Sequence, residues 1–351
     1  MKIVVDAMGS DDCPEPEVQA AVEAARNWDE EIILVGPAVL VSEKLSKLDY
    51  PAKLIRVVDA QDTITMEDKG MKLALKAKRR DSKTSMAVGI DLVKAGEAEA
   101  FVTAGNTGGA LATAFFRMGT LDGVERPALT AFFPVKDGFC AVLDIGANPE
   151  CKPEHILQFA IMGAVYSREV RQVVSPRVGL LSNGEEAGKG NQLVKESYPL
   201  LAASGLNFIG NVEGKELFGG SADVVVTDGF TGNILLKSSE AVAKLLVDIL
   251  RQELTSTIRT SIGALLAKPA FSRLRAMMDP AEVGAAPLLG INGLVFIGHG
   301  RSDARAMLSA IRTARQAVQA GLLASLSKEI QKNLKSSGQV KPLAELQEQP
   351  E

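Results

Sequence analysis

The chain predicts an α/β fold built on a multi-layered, mostly parallel sheet, and three features of its 351 residues carry that expectation. Short runs rich in Val, Ile and Leu alternate with stretches of helical periodicity, the pattern of a sheet covered by helices. Those runs are continuously apolar, as strands buried on both faces are. The residues that follow them are Gly, Asn, Asp and Thr, the types found where such folds hold ligands beyond the carboxyl ends of their strands.

In chain order the strands are expected at Lys2–Asp6, Glu31–Val35, Lys53–Val57, Ala100–Thr103, Thr130–Pro134, Phe139–Leu143, Arg177–Leu181, Asn207–Gly210, Val224–Thr227 and Gly293–Ile297. Helical patterns lie between them, among them Pro16–Asn27, Thr84–Ala95, Pro153–Glu169 and Asp303–Ala320. Two segments break the alternation. Residues 237–278 carry no strand signal; Val242, Leu245, Leu246, Ile249 and Leu254 recur at helical spacing, then Ile258, Ile262 and Leu265, and Pro269 interrupts before Phe271, Leu274 and Met278. This reads as a protruding helical hairpin whose bend carries residues 262–267. The end of the chain is polar, so residues 1–328 are expected to form one α/β domain and 329–351 a disordered tail.

Composition narrows the function classes. A net charge of −4 gives no general attraction to nucleic acid. No run approaches the roughly 18 apolar residues that span a bilayer. Cys13, Cys140 and Cys151 form no CxxC pair and no metal-like spacing, and are expected as reduced thiols. With only His155 and His299, a Ser-His-Asp arrangement and an HExxH zinc motif are not to be found, and no metal or cofactor is expected. His155 reads as a helix-start or packing residue.

Five polar turns follow strands. Ala104–Leu111 (AGNTGGAL) leads into a helical pattern, so Asn106, Thr107 and Gly108 stand where a helix N-terminus offers free N–H groups to an anion. Leu143–Asn148 (LDIGAN) supplies Asp144 and Asn148, either as ligand contacts or as helix caps. Ser182–Gly190 (SNGEEAGKG) supplies Asn183 and puts Lys189 between two glycines; it misses a P-loop by one residue of spacing and by Gly190 in place of a Ser or Thr. Its Glu185–Glu186 pair reads as a solvated helix start. Thr227–Asn233 (TDGFTGN) gathers Asp228, Thr231 and Asn233, and Gly298–Gly300 (GHG) presents His299. Five such turns would line one crevice rich in amides and backbone N–H groups, with one lysine and no evident protein nucleophile. That inventory suits a reaction whose substrates bring their own nucleophile, such as phosphate attacking a thioester.

Taken together, these motifs resemble the phosphate acyltransferases of bacterial phospholipid synthesis, the PlsX family. The matching stretches are Val5–Gly9, Ala104–Ala110, Asp144–Asn148 with residues 151–155 (CKPEH), Asn183–Gly190, Gly210–Gly214 (GNVEG), Asp228–Asn233 and Ala286–Gly300, spanning roughly residues 1–320. One departure is Met8–Pro14, MGSDDCP, where the family reads MGGDHAP and Asp12 replaces its histidine. The resemblance implies a fold similar to isopropylmalate dehydrogenase and phosphotransacetylase, a homodimer, and transfer of a long-chain acyl group from acyl carrier protein (ACP) to inorganic phosphate. It implies Lys189 and Asn233 as the catalytic pair, a cytoplasmic protein attached peripherally to the inner face of the membrane, and a glycerol-3-phosphate acyltransferase as the downstream partner. Competing readings are a short-chain phosphate acetyl- or butyryltransferase using coenzyme A, a nicotinamide-linked decarboxylating dehydrogenase, and a non-catalytic membrane scaffold.

Two surface features complete the reading. Lys76, Lys78, Arg79, Arg80 and Lys83 form one basic cluster, and Lys268, Arg273 and Arg275 another; either would steer an acidic carrier protein to a mildly acidic enzyme. In the hairpin, Leu265 and Leu266 stand between Arg259 and Lys268, an apolar tip flanked by cations, as in interfacial membrane anchors.

Overall fold

A computed structural model describes residues 1–79, 81–136, 138–278 and 284–336, with side chains as far as Phe271 in the long insertion. The strands are β1 (Lys2–Asp6), β2 (Glu31–Gly36), β3 (Ile55–Asp59), β4 (Ala100–Thr103), β5 (Ala128–Val135), β6 (Gly138–Leu143), β7 (Val178–Leu181), β8 (Phe208–Val212), β9 (Val224–Val226), β10 (Ala286–Leu289) and β11 (Leu294–Ile297). They form one sheet in the order β3-β2-β1-β4-β11-β10-β5-β6-β9-β7-β8. The helices are α1 (Glu15–Trp28), α2 (Ala38–Leu45), α3 (Gly70–Lys78), α4 (Ser85–Lys94), α5 (Thr107–Met118), α6 (Pro153–Glu169), α7 (Gln192–Ala202), α8 (Gly214–Gly219), α9 (Gly229–Thr255), α10 (Ile258–Met278), α11 (Ala304–Gln319) and α12 (Leu322–Ser336).

Alternation along the strands fills two cores. Ile3 and Val5 face one side with residues of α1, α6, α11 and α12, while Val4 faces the other with residues of α4 and α5. Because both faces are covered, the inner stretches Ile3–Val5, Ile32–Val35 and Val224–Val226 are apolar without a break.

Strand direction divides the sheet. The strands β1, β2, β3, β4 and β11 are mutually parallel, as are β6, β9, β7 and β8. Between the two blocks, β10 pairs antiparallel with both β11 and β5, and β5 pairs antiparallel with β6. The blocks therefore run in opposite directions.

Four sequence expectations change. β10 is missed, because Ala286–Leu289 (APLL) is four residues with a proline. β3 begins two residues later than expected, since residues 51–54 close a turn, Leu54 N–H donating to Pro51 O at 2.8 Å. The helix at the chain end crosses the expected domain boundary: Ile330 is buried and Gln331 bonds Asp122 O at 3.0 Å, so residues 329–336 belong to α12, and only 337–351 lie outside the described residues. The hairpin starts at Gly229 rather than residue 237 and reverses at Ser256–Thr257 rather than at 262–267, so Leu265 and Leu266 sit about two turns inside α10 and Pro269 lies within that helix. Among the described residues no helix is long and apolar enough to cross a membrane.

Candidate active site

The first group of turns stands at the ends of β1, β4 and β11. Thr103 ends β4; its hydroxyl donates to the Asp6 carboxylate at 2.7 Å and accepts from Gly105 N–H at 3.0 Å. Glycine is required where the β1 and β4 loops cross, because a Cβ on Gly9 would stand 2.8 Å from Ala104 N. Asn106 caps α5, its Oδ1 accepting from Gly109 N–H at 2.9 Å, while its Nδ2 donates to Thr65 O at 3.0 Å and Asp68 O at 3.1 Å. The Asn106 amide thus holds the loop together, and the exposed Thr107 and Gly108 open the first turn of the helix, whose N–H groups lack intrahelical acceptors. After β11, Gly298 N–H donates to Thr103 O at 2.7 Å and Gly300 O accepts from Asp11 N–H at 2.7 Å, which brings the His299 turn against both other loops. His299 is exposed; its Nδ1 accepts from Arg301 N–H at 3.1 Å.

The second group stands at the ends of β6, β9 and β7. Asp144 is fully buried and accepts five hydrogen bonds: from the N–H groups of Leu129, Gly146, Ala147 and Asn148 at 3.1, 3.1, 3.0 and 2.6 Å, and from Asn148 Nδ2 at 2.9 Å. Burial pushes its carboxyl above the usual range, and the donors oppose that. Since every partner is a donor, the loop is built around the ionised form. Asn148 also donates to Pro127 O at 2.7 Å. Asp144 and Asn148, expected as phosphate or substrate contacts, are therefore occupied in bracing the turn, and a carboxylate with its lone pairs taken would in any case repel phosphate.

What they brace is the start of α9. Asp228 caps it, accepting from the N–H and hydroxyl of Thr231, both at 2.8 Å. Gly229 N–H donates to Asn148 O at 2.8 Å. A Cβ on Gly232 would lie 1.8 Å from Asp144 O, so the helix can approach this loop only without a side chain there. Asn233, one residue on, is exposed beside Gly146 and its amide makes no hydrogen bond among the described residues.

The Ser182–Gly190 loop follows β7, the neighbour of β9. Lys189 packs its stem over Gly184, where a Cβ would meet Lys189 Cγ at 2.8 Å, and its N–H donates to Glu186 O at 2.9 Å. Its ammonium is exposed and has no ion-pair partner among the described residues. Asn183 is exposed in the same loop. The Glu185–Glu186 pair does not start a helix: α7 begins at Gln192 behind an Asn191 cap, and Glu185 pairs with Lys215 at 2.8 Å.

The five turns do not share one sheet edge. The blocks are antiparallel, so the loops after β1, β4 and β11 stand at the edge opposite those after β6, β7 and β9. The helices that leave them, α5 and α9, cover the same face: Ala110, Leu111 and Ala114 join the core cluster that also takes in Leu235 and Leu236.

Sequence reading missed Asp68, which accepts from Lys72 and Lys76, both at 2.7 Å, and whose backbone receives the Asn106 amide; its signal was an acid four and eight residues before the lysines of the following helix. It also missed Gly229 and Gly232, whose three-residue spacing at a helix start marks a close approach. His155 is a helix-start residue as expected, buried, with Nδ1 accepting from Lys152 N–H at 3.2 Å and Nε2 3.1 Å from Glu125. Burial pushes the Cys13 thiol up to about 11 and those of Cys140 and Cys151 to about 12, so none is a ready thiolate at neutral pH.

Comparison with known proteins fits this arrangement. The model of the family described as "Fatty acid synthesis protein" matches residues 1–325. A phosphate acyltransferase from Acidobacterium capsulatum is 45% identical over 321 residues, covering 91% of this chain and 94% of that protein. One from Thermus thermophilus is 46% identical over 333 residues, covering 94% and 98%. Among solved structures, EutD phosphotransacetylase from Staphylococcus aureus superposes with a TM-score of 0.58 at 18% identity, covering 90% of this chain and 94% of that one. A phosphotransacetylase from Streptococcus pyogenes does so at 0.58 and 18%, covering 91% and 94%, and these two likenesses establish the fold. With its family model spanning nearly the whole chain and relatives of this identity along the same length, the chain belongs to the phosphate acyltransferase family.

Proposed function

We propose that this enzyme, a phosphate acyltransferase, takes long-chain acyl groups from acyl-ACP and delivers acyl phosphate for phospholipid synthesis. The observation that carries the reading is the Asn233 amide at the start of α9, without a hydrogen-bond partner among the described residues, with Lys189, likewise without an ion-pair partner among them, on the loop that follows the neighbouring strand β7. Phosphate is an oxyanion at neutral pH and needs placement more than deprotonation. One phosphate oxygen attacks the thioester carbonyl carbon, and the carbonyl oxygen becomes an oxyanion. The exposed Asn233 amide is a donor suited to it. Collapse re-forms the carbonyl, breaks the C–S bond and releases the carrier's thiolate, whose charge Lys189 offsets until a proton arrives. Thr107, Gly108 and His299 on the other loop group, with Asn183 and Thr231, are the remaining candidates for phosphate and substrate contacts; Asn106, Asp144, Asn148 and Asp228 position the turns.

The hairpin supports two further parts of the reading. α9 is about 40 Å long, and Val242, Leu245, Leu246, Ile249 and Leu250 stay exposed along it, a stripe suited to the same helices of a second subunit in a homodimer. Beyond the reversal, Ile258 is 82%, Leu265 69% and Leu266 79% exposed along the first turns of α10, so an anionic membrane surface is the proposed contact. Acyl phosphate released there would reach a glycerol-3-phosphate acyltransferase without crossing water. The test is acyl phosphate formation by the purified full chain from palmitoyl-ACP, with palmitoyl-CoA and acetyl-CoA in parallel. Turnover confined to acetyl-CoA would replace this reading with the short-chain, coenzyme A-dependent one.

A further inference from the structure

The segment 67–83 carries seven Lys and Arg against three Asp and Glu, in a chain whose net charge is −4. The fold turns that charge run into a shaped surface. Met71, Leu75 and Lys78 recur at four and three residues along α3 and so share one stripe, with Lys72 and Arg79 beside it. Met71 is 79% exposed and Leu75 58%, although Ala77 on the opposite face is fully buried against the body. α3 packs on α5, where the half-exposed Phe116 extends the apolar surface and Lys78 Nζ stands 5.9 Å from the centre of its ring. Three of the cations are tethered: Lys72 and Lys76 both hold Asp68, Lys76 also bonds Thr63 O, and Arg79 pairs with Asp81, which fixes the rim rather than leaving it a loose cloud. Arg80 lies outside the described residues.

We propose that this face, Met71, Leu75 and Phe116 rimmed by Lys72, Lys78 and Arg79, is where the acidic carrier protein docks; the proposal rests on acyl-ACP being the donor. An apolar centre within a cationic rim complements a helix that presents a few apolar residues among carboxylates. Position supports the assignment. The loop before α3 is tied to the first turn of α5 by the Asn106 amide, bonded to Thr65 O and Asp68 O, so a carrier seated on α3 stands beside Thr107 and Gly108 in the first group of turns. A bilayer is the less fitting occupant, because the helix is nine residues long and Glu67 and Asp81 interrupt the cations.

The test uses the full-length enzyme with Leu75→Ser, Lys78→Glu and the double variant, palmitoyl-ACP as donor, and anionic phosphatidylglycerol vesicles as a separate probe. Both substituted side chains are solvent-facing, and an unchanged unfolding midpoint confirms the fold. The expected result is a KM for palmitoyl-ACP raised at least about tenfold in the double variant, with kcat and the KM for phosphate within about twofold, and a weaker salt dependence of the KM. Lys78→Arg should keep the wild-type KM. If wild-type enzyme uses palmitoyl-ACP but the double variant shows the same KM, the docking site is elsewhere while the functional reading stands. If wild-type enzyme makes no acyl phosphate from palmitoyl-ACP, the functional reading fails first. Lost vesicle binding with an unchanged KM would assign the face to the membrane and overturn the proposal.

Discussion

Replacing Asp144 by Asn separates bracing from substrate contact. The carboxylate accepts three N–H groups on Oδ1 and two donors on Oδ2, and it is fully buried. An Asn side chain must turn its NH2 toward one of the two sets, so at least two hydrogen bonds to a charged acceptor are lost and two donors are left facing a donor. At roughly 1.5–3 kcal/mol for each such bond, the variant loses about 3–6 kcal/mol. For a chain of this length that lowers the unfolding midpoint by about 4–8 °C. Because Gly232 is packed against the Asp144 carbonyl, the start of α9 shifts with the loop and Asn233 leaves its place beside Gly146. Thermal unfolding by circular dichroism, with steady-state kinetics at a temperature where the variant is folded, reads both effects. kcat should fall by about tenfold or more with little change in the KM for phosphate. An unfolding midpoint like that of the wild type, or a raised KM for phosphate at unchanged kcat, would refute the bracing role and make Asp144 a ligand contact.

Lys189→Ala and Asn233→Ala should each lower turnover by at least about 100-fold with the unfolding midpoint unchanged, because both side chains are exposed and unpartnered; near-normal turnover in either folded variant removes that residue from the mechanism. Glu17 is fully buried, with Oε1 accepting from Ser10 N–H at 2.8 Å and Oε2 without a partner among the described residues, and burial pushes its carboxyl from 4.5 up to about 7. The folded state therefore holds this proton more tightly than the unfolded one: stability is fully present below about pH 4.5 and is lost as pH rises toward 7. Denaturant melts should show wild-type stability falling by about 2–3 kcal/mol more than that of Glu17→Gln between pH 5 and pH 8, and parallel pH profiles for the two would show that the carboxyl titrates normally. Changing Leu265 and Leu266 together to Glu should abolish flotation with anionic vesicles while sedimentation still shows a dimer; loss of the dimer would place those side chains between subunits instead.

Much of the fold was legible because its strands are buried on both faces. Runs such as Ile3–Val5 and Ile32–Val35 must be continuously apolar there, and continuous apolarity is visible in one dimension. β10 was not legible, since a four-residue strand containing a proline has no periodicity to read, and its place between β11 and β5 is set by partners more than 150 residues away in one case and across a tight turn in the other. The hairpin was visible as a stripe of apolar residues, yet its reversal was misplaced: the run 262–267 looked like a bend because it is apolar and precedes Pro269, whereas the chain turns at Ser256–Thr257, where side-chain oxygens bond back to the backbone.

By itself the sequence determined the chemistry on offer: a set of Gly-rich turns with amides and one mobile lysine, and residue patterns shared with phosphate acyltransferases along almost the whole chain. Those follow from residue type and short spacing, which folding does not alter. Only the tertiary structure decided which of those groups are available. Asn106, Asp144, Asn148 and Asp228 are engaged in loop hydrogen bonds, and at the buried Asp144 and Asn148 an unpaired polar group would cost more than it could return as a ligand contact, whereas the exposed side chains of Asn233 and Lys189 have no such partner among the described residues. The structure also separated turns that look equivalent along the chain: three successive antiparallel pairings, β11–β10, β10–β5 and β5–β6, reverse the sheet between its two blocks, and with it the edge from which each helix N-terminus points.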